Sequence, residues 1–243
     1  MVAKHKNRFK PLFKQIIKLR ENIQNRQKLL KFKKKKWKSF LRFYINKNKN
    51  YRKFKPVDCS KYVVTRYGTR GTSYTKRFRD ALQTGKKLRI FYGGLLKKYF
   101  KNTIKNTIRK TKSKTNTDLK LILLKNFESR LDVVLYRAKF TTSVRNGRQL
   151  ILHGKVYVNN EKVKSKAFVL KAGDIITLDS DYFDNYENNI IQSIKWPLPP
   201  KYLIINYKTM QILFLGNIED TNFANSFSFN LKLEKALVNY LRL

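Results

Sequence analysis

Acidic side chains are scarce. Only 15 Asp and Glu face 56 Lys and Arg across 243 residues, a formal net charge of +41. Self-repulsion on this scale disfavours a compact solitary chain and draws polyanions to it. Cysteine is nearly absent. Cys59 alone excludes an internal disulfide and a cysteine-rich zinc site. His5 and His153 are the only histidines, so neither a metal nor another cofactor is expected. Long apolar runs are also missing: none approaches the roughly 20 residues of a spanning helix, and no membrane partner is expected. His153 has no Ser, Cys or second His near it in sequence, which argues against nucleophilic catalysis. Tyr92-Gly93-Gly94 lacks the Gly-Lys-Ser or Gly-Lys-Thr of a phosphate loop. Neither a catalytic residue nor an enzymatic activity is expected.

What is present is positive charge, unevenly spread. Residues 1–120 carry a net +35, residues 121–178 a net +7, and residues 179–243 a net −1. The first two parts should grip a polyanion, and the last reads as packing material. Lysines interleaved with aromatics, as in "KFKKKKWKSF", suit nucleic acid better than lipid.

Along the chain, Leu12, Ile16, Leu19, Ile23 and Leu30 recur at mostly three- and four-residue steps and predict a helical apolar stripe. Phe32, Trp37 and Phe40 can pack on protein or stack on bases. From Asn46 to Lys76 the pattern fails, and Arg66 and Arg70 beside Gly68 and Gly71 read as an extended stretch that meets phosphates closely. The segment "RFRDALQTGKKLRIFYGGLLKKYFKNTIKNTI" predicts helix on both sides of Gly93-Gly94, and the polar run Lys110 to Asp118 marks a domain boundary. Residues 155–163 switch to period two around Asn159-Asn160, a hairpin. Gly173 turns the chain into another strand, "WPLPP" reads as a loop before strand-like runs, and "NLKLEKALVNYLRL" is an amphipathic helix.

"SRLDVVLYRAKFTTSVRNGRQLILHGKVYVNNEKV", residues 129–163, carries the chemistry. Ser129 with Asp132 approximates a capping box, which would make Asp132→Asn a modest loss of about 0.5–2 kcal/mol. The helix so begun turns Leu131, Val134 and Leu135 inward and leaves Arg130 and Arg137 to face out. A second helix starts near Ser143, with Val144, Leu150 and Ile151 inward and Arg145, Arg148 and Gln149 on or near the outside. His153-Gly154 ends it before the hairpin. Two short helices with a basic outer surface, backed by a small sheet, make a platform that reads phosphates and the shape of folded RNA.

Ser129-Arg130-Leu131-Asp132, Arg148-Gln149-Leu150, His153-Gly154, Val158-Asn159 and Gly173-Asp174, in that order, resemble the RNA-binding domain named after small-subunit ribosomal protein S-four. "KKLRIFYGGLLKKYF" resembles the element preceding that domain in the ribosomal protein, and "PPKYLIINYKTMQILFLG" with "NLKLEKALVNYL" resembles its C-terminal segment. The resemblance spans roughly residues 74–243, and the N-terminal third is similar to mitochondrially encoded versions only. This chain departs from the pattern in three places. Gly147 stands where Ala is frequent, at about 1 kcal/mol of helix propensity. The usual second-helix arginine aligns with Val144, beside Arg145. Leu96 and Lys98 replace residues that are often Glu and Gln.

The resemblance implies an α+β fold: a basic helical domain with an inserted S-four (alpha-L type) RNA-binding domain of two short helices on a small antiparallel sheet. The implied division is a basic extension over 1–80, a discontinuous helical domain over 81–120 and 179–243, and the S-four domain over 121–178. Arg89, Tyr92, Lys97, Lys98 and Lys155 join Arg66, Arg70, Arg130, Arg137, Arg145, Arg148, Gln149 and His153 as expected RNA contacts. Replacing Arg145 and Arg148 with Ala is expected to weaken RNA binding without unfolding the domain. The implied role is structural, in the small ribosomal subunit: binding a multi-helix junction in the 5′ domain of the small-subunit rRNA. Neighbouring ribosomal proteins three and five and the mRNA entry channel would lie beside it.

The rival reading is a small S-four-domain RNA chaperone or rescue factor that visits ribosomes transiently. It needs neither flank. Pseudouridine synthases also carry an Arg-Leu-Asp stretch, with Asp as nucleophile. Here that stretch lies inside the RNA platform, with no catalytic domain following. Lys, Asn, Ile, Phe and Tyr are residues of A+T-rich codons, and 40 Lys against 16 Arg with 22 Asn and 7 Ala indicate an organelle genome. Met1 opens the sequence without a secretory signal pattern. The mitochondrion is the expected compartment, the plastid the second choice.

Overall fold

The segment "YTKRFRDALQTGKKLRIF" contains no proline and repeats buried positions at Ala81, Thr84, Leu88 and Phe91, so it folds as one amphipathic helix, α1 (Tyr74–Phe91). In the computed structural model, residues 74–112, 119–194 and 196–216 are described, together with isolated positions 15, 16, 19, 23, 24, 37–39, 41, 42, 227 and 229. Helix α1 stops where predicted. Gly93 and Gly94 both take φ +77°, and the amides of Gly94 and Leu95 return to the Arg89 carbonyl at 2.8 and 3.0 Å. The left-handed pair reverses the chain into α2 (Lys97–Lys112).

Helix α2 turns Phe100, Ile104 and Thr107 inward against Leu123, Leu124 and Phe127 of α3 (Leu119–Glu128). The two short helices foreseen in the RNA-binding segment follow as α4 (Leu131–Arg137) and α5 (Val144–Leu152). Ser143 caps α5, its Oγ accepting from the Asn146 amide at 3.2 Å. At the other end Gly154 (φ +68°) lets the Lys155 amide reach the Leu150 carbonyl at 3.1 Å. The positive φ is what suits this position to glycine.

The sheet is antiparallel throughout, in the order β2-β1-β3-β5-β4. Its members are β1 (Val156–Val158), β2 (Glu161–Lys162), β3 (Ile175–Leu178), β4 (Leu203–Asn206) and β5 (Gln211–Phe214). Asn159 (φ +51°) and Asn160 (φ +65°) make the two-residue turn between β1 and β2, a left-handed pair that matches strand twist. Val156, Val158, Ile176, Leu178, Ile212 and Phe214 alternate into the core. Between β3 and β4 runs a 3-10 turn (Ser180–Tyr182) and then α6 (Phe183–Ser193).

The C-terminal strands join the sheet of β1, β2 and β3 itself. Strand β5 pairs with β3 through Ile175↔Leu213, Ile176↔Ile212 and Thr177↔Gln211. The unpaired backbone of β3 needs a partner on that side, and β5 supplies it. Segment 179–243 therefore does more than return to the helices, although Phe227 and Phe229 do reach back to Phe91, with ring centroids 5.0 and 5.7 Å away. In the N-terminal third Ile16, Leu19 and Ile23 are buried, as the stripe requires, and Trp37 is buried against protein. Leu12, Leu30, Phe32, Phe40, the stretch 46–73, most of the linker, and the C-terminal helix lie outside the described residues.

Candidate nucleic-acid interface

The expected basic outer surface of the helix pair is not what folds. Every residue of α4 is buried, and so is Arg130 before it. Asp132, fully buried, accepts from Arg130 Nε and Nη2 at 3.0 Å each and from Arg148 Nε at 2.6 Å. Arg130 also donates to the Tyr99 hydroxyl at 3.0 Å and to the Lys166 carbonyl at 3.3 Å. Burial works against the Arg130 charge, but the hydrogen bonds and charge of Asp132 outweigh it and hold the guanidinium above its usual range. A carboxylate out of water demands counter-charges, and these arginines are the nearest.

The capping expectation is corrected with it. Arg130, not Ser129, occupies the N-cap position of α4, with no side-chain cap bond. Ser129 Oγ instead donates to the Lys125 carbonyl at 2.7 Å, at the end of α3. Backbone pairing of Leu131 with Phe168 and of Leu170 with Ser129 then fixes the entry to α4.

Arg137 and Tyr92 are corrected on the same grounds. Both are buried around Glu128, itself fully buried. Arg137 donates to Glu128 through Nε (2.9 Å) and Nη2 (2.6 Å), and the hydroxyls of Tyr92 and Tyr202 donate at 2.8 Å each. The Arg137 guanidinium lies over both the Phe91 and Phe227 rings, 4.8 Å from each centroid. Burial alone would raise the Glu128 pKa, but the Arg137 charge and four hydrogen bonds lower it, while Tyr92 and Tyr202, desolvated beside that carboxylate, are raised well above the phenol range. Neither Arg137 nor Tyr92 is placed to touch RNA.

Arg145 and Arg148 are half-buried and reach across to the turn after α1. Arg148 donates to the carbonyls of Gly93 (3.1 Å) and Tyr92 (2.7 Å), and Arg145 Nε to Gly93 at 3.2 Å. They tie α5 to the helical domain, so substituting both with Ala would loosen the fold, contrary to the expectation of an intact domain. Gly147 also has its reason. A Cβ there would sit 3.0 Å from the Asp132 carbonyl oxygen, so glycine permits the close α4–α5 approach.

The remaining candidates divide. Lys97, Lys98, Gln149 and His153 are exposed. Arg89 is half-buried and donates to the Leu95 carbonyl at 3.0 Å. Lys155 is half-buried, with Asp179 at 3.0 Å, Asp181 at 3.6 Å and the Tyr182 ring beneath it at 4.7 Å. The Asp179 hydrogen bond lifts its pKa. Arg66 and Arg70 lie outside the described residues.

Not among the sequence candidates is the rest of a cationic row. Lys97, Lys101, Lys105 and Arg109 follow one another at four-residue steps along α2, running alongside its buried Phe100 and Ile104 with Lys101 half-buried and the other three exposed, and the helix contains no acid. The spacing was the available signal. Neighbouring like charges at this spacing cost a helix about 0.2–0.5 kcal/mol per pair, so the row is self-repelling unless an anion covers it. The Tyr99–Arg130–Lys166 bonds place the first turn of α2 beside the loop bearing exposed Lys164 and Lys166. The Lys162 stem lies over Gly154, next to His153. The exposed cations therefore gather on α2, the 162–166 stretch and the end of α5.

Residues 129–176 match the family model described as S4 domain. The chain is similar to "Small ribosomal subunit protein uS4m" of Marchantia polymorpha, at 33% identity over 158 residues that cover 63% of this chain and 76% of that protein. It is similar also to the uS4m of Reclinomonas americana (29% over 177 residues, 69% and 67% covered). With "Small ribosomal subunit protein uS4" of Caulobacter vibrioides it shares 38% over 121 residues, 50% of this chain and 57% of that protein. Similarity of this extent, carried through an S4 domain with the observed α+β architecture, shows that the chain belongs to the uS4 family of small ribosomal subunit proteins, in its mitochondrial form.

Proposed function

We propose that the chain is a non-enzymatic structural constituent of the mitochondrial small ribosomal subunit that holds small-subunit rRNA where several helices converge in the 5′ domain. The observation that carries this reading is the acid-free row Lys97, Lys101, Lys105 and Arg109, a rigid line of charge needing a polyanion. Lys98, Gln149, His153 and Lys162 to Lys166 extend the surface to a second helix of the RNA, and the N-terminal Lys and Arg supply further phosphate neutralisation. The mechanism is electrostatic and geometric: the helices align phosphates, and the S4 domain sets the angle between RNA elements. Family membership supports a position near neighbouring ribosomal proteins three and five and beside the mRNA entry channel.

Binding of the full chain to a small-subunit rRNA 5′-domain fragment should weaken steeply with salt, because each neutralised phosphate releases counterions. Replacing Lys101 and Lys105 with Gln should reduce the log–log slope by roughly one to two and leave the fold intact. A flat salt response in the parent chain overturns the reading. Retention on small subunits through a high-salt sucrose gradient is expected of a resident protein, and loss in the wash would favour a transient RNA chaperone or rescue factor.

A further inference from the structure

One aromatic side chain is exposed inside the cationic surface. Tyr99, in the first turn of α2, is 42% exposed, whereas Phe100 beside it is fully buried. The ring is held in place. Buried Arg130 donates to its hydroxyl at 3.0 Å, with the guanidinium carbon 5.7 Å from the ring centroid. That guanidinium is itself anchored by both Asp132 carboxylate oxygens and by the Lys166 carbonyl. Scattered exposed apolar groups need no explanation. A ring fixed at its hydroxyl by a buried arginine is preorganised, however, and loses little freedom when something covers it.

The surroundings are positive and partly apolar. Lys97 and Lys98 precede the tyrosine, and Arg130 links it to the loop bearing Lys164 and Lys166, all four lysines being exposed. Asp132, the carboxylate bound to that arginine, is fully buried. Leu96, one turn before Tyr99, and Val169, bridged to Arg130, are exposed as well. Exposed Asn102 and Asn106 continue the Tyr99 side of α2 at three- and seven-residue steps, with amides that can donate and accept. A protein aromatic or proline would use the ring but not the lysines around it. A nucleotide uses both, offering a π-face to the ring and phosphates to the ammonium groups. Bases inside an A-form helix are already stacked on one another, so the base must come from a loop, bulge or end.

We propose that Tyr99 stacks on one unpaired nucleobase of the RNA, while Lys97, Lys98 and Lys166 hold the phosphates on either side of that nucleotide. Charge along α2 orients the RNA by its backbone and carries no sequence information. The ring adds a contact that exists only where a base is turned out, and so fixes the register of the chain on its RNA.

The proposal rests on the rRNA reading, and the test separates the two. The full chain is titrated with a small-subunit rRNA 5′-domain fragment over a salt series. If the parent chain does not bind, or its salt response is flat, the rRNA reading fails and the stacking proposal with it. If it binds, Tyr99→Leu should weaken binding roughly tenfold with an unchanged log–log salt slope, because stacking releases no counterions. Tyr99→Phe keeps the ring and should bind within about threefold of the parent. Each unpaired nucleotide of the fragment is then made abasic in turn. At one of them parent binding should fall roughly tenfold, and Tyr99→Leu should add no further loss there. A fluorinated tyrosine at position 99 covers the case in which Tyr99→Leu does not fold. Its fluorine resonance should shift when the fragment binds, and the shift should vanish with that abasic RNA. Losses that add at every position, a Tyr99→Leu affinity within about twofold of the parent, or a lowered salt slope overturn the proposal. So does a fluorine shift that survives every abasic substitution, or a crosslink from position 99 to protein in isolated small subunits.

Discussion

At the scale of single residues, two buried carboxylates organise the molecule. Glu128 accepts from Arg137, Tyr92 and Tyr202, which come from three separate stretches of chain. Glu128→Gln leaves the Arg137 charge buried without its counter-ion and should cost about 3–5 kcal/mol, measured by urea unfolding. The same pair sets an acid limit. Because the folded-state pKa of Glu128 is lowered, its contribution is fully present above the ordinary range near 4.5 and is lost as pH falls through the depressed value. Parent stability should therefore drop in that acid window, and the Glu128→Gln variant should show a shallower fall. Asp132 is the second buried carboxylate with arginine partners. Asp132→Asn removes the charge that balances Arg130 and Arg148, so its expected cost, about 3 kcal/mol or more, exceeds the loss of a helix cap. A loss below 1 kcal/mol in chemical denaturation would overturn the buried-pair account.

At the scale of elements, α4 and α5 are a packed pair more than a pair of RNA-reading helices. Their close approach depends on Gly147, where a Cβ would press on the Asp132 carbonyl oxygen at 3.0 Å. Gly147→Val should destabilise by about 1–3 kcal/mol through overpacking, even though valine exceeds glycine in helix propensity. Thermal unfolding checks the sign. Helix α2 shows the opposite economy. Its buried Phe100 and Ile104 anchor it, while the flanking row of Lys97, Lys101, Lys105 and Arg109 repels itself. The element is held by the core and kept charged for a partner. That division was legible from spacing alone. The burial of α4 was not, since its Arg and Asp read as surface residues until the pairing partners are known.

At the scale of the whole molecule, a net charge of +41 opposes compaction. Salt should act with opposite signs on the two properties of the chain. Raising it from low to physiological ionic strength screens self-repulsion and should raise the Tm of the free protein, while weakening its grip on RNA. Calorimetry and filter binding over one salt series would show both. A Tm that falls with salt would mean that favourable ion pairs outweigh repulsion in the free chain.

The α+β class, the helix break at Gly93-Gly94, the helix start near Ser143, the Asn159-Asn160 turn and the Gly154 helix stop were determined by sequence. Each depends on local periodicity or on backbone conformations that few residues adopt. The polyanion partner was determined as well, because charge is additive and survives any fold. What only the tertiary structure decided is which cations remain available to that partner. Arg130 and Arg137 looked like surface groups, and Arg145 and Arg148 like phosphate ligands. Asp132, Glu128 and the Gly93 carbonyl, brought near by chain reversals of up to 55 residues, claim them first. The addition of β5 to the β3 edge depends on the same kind of distant pairing. A buried carboxylate selects its counter-ion by distance in space, and separation along the chain does not report that distance.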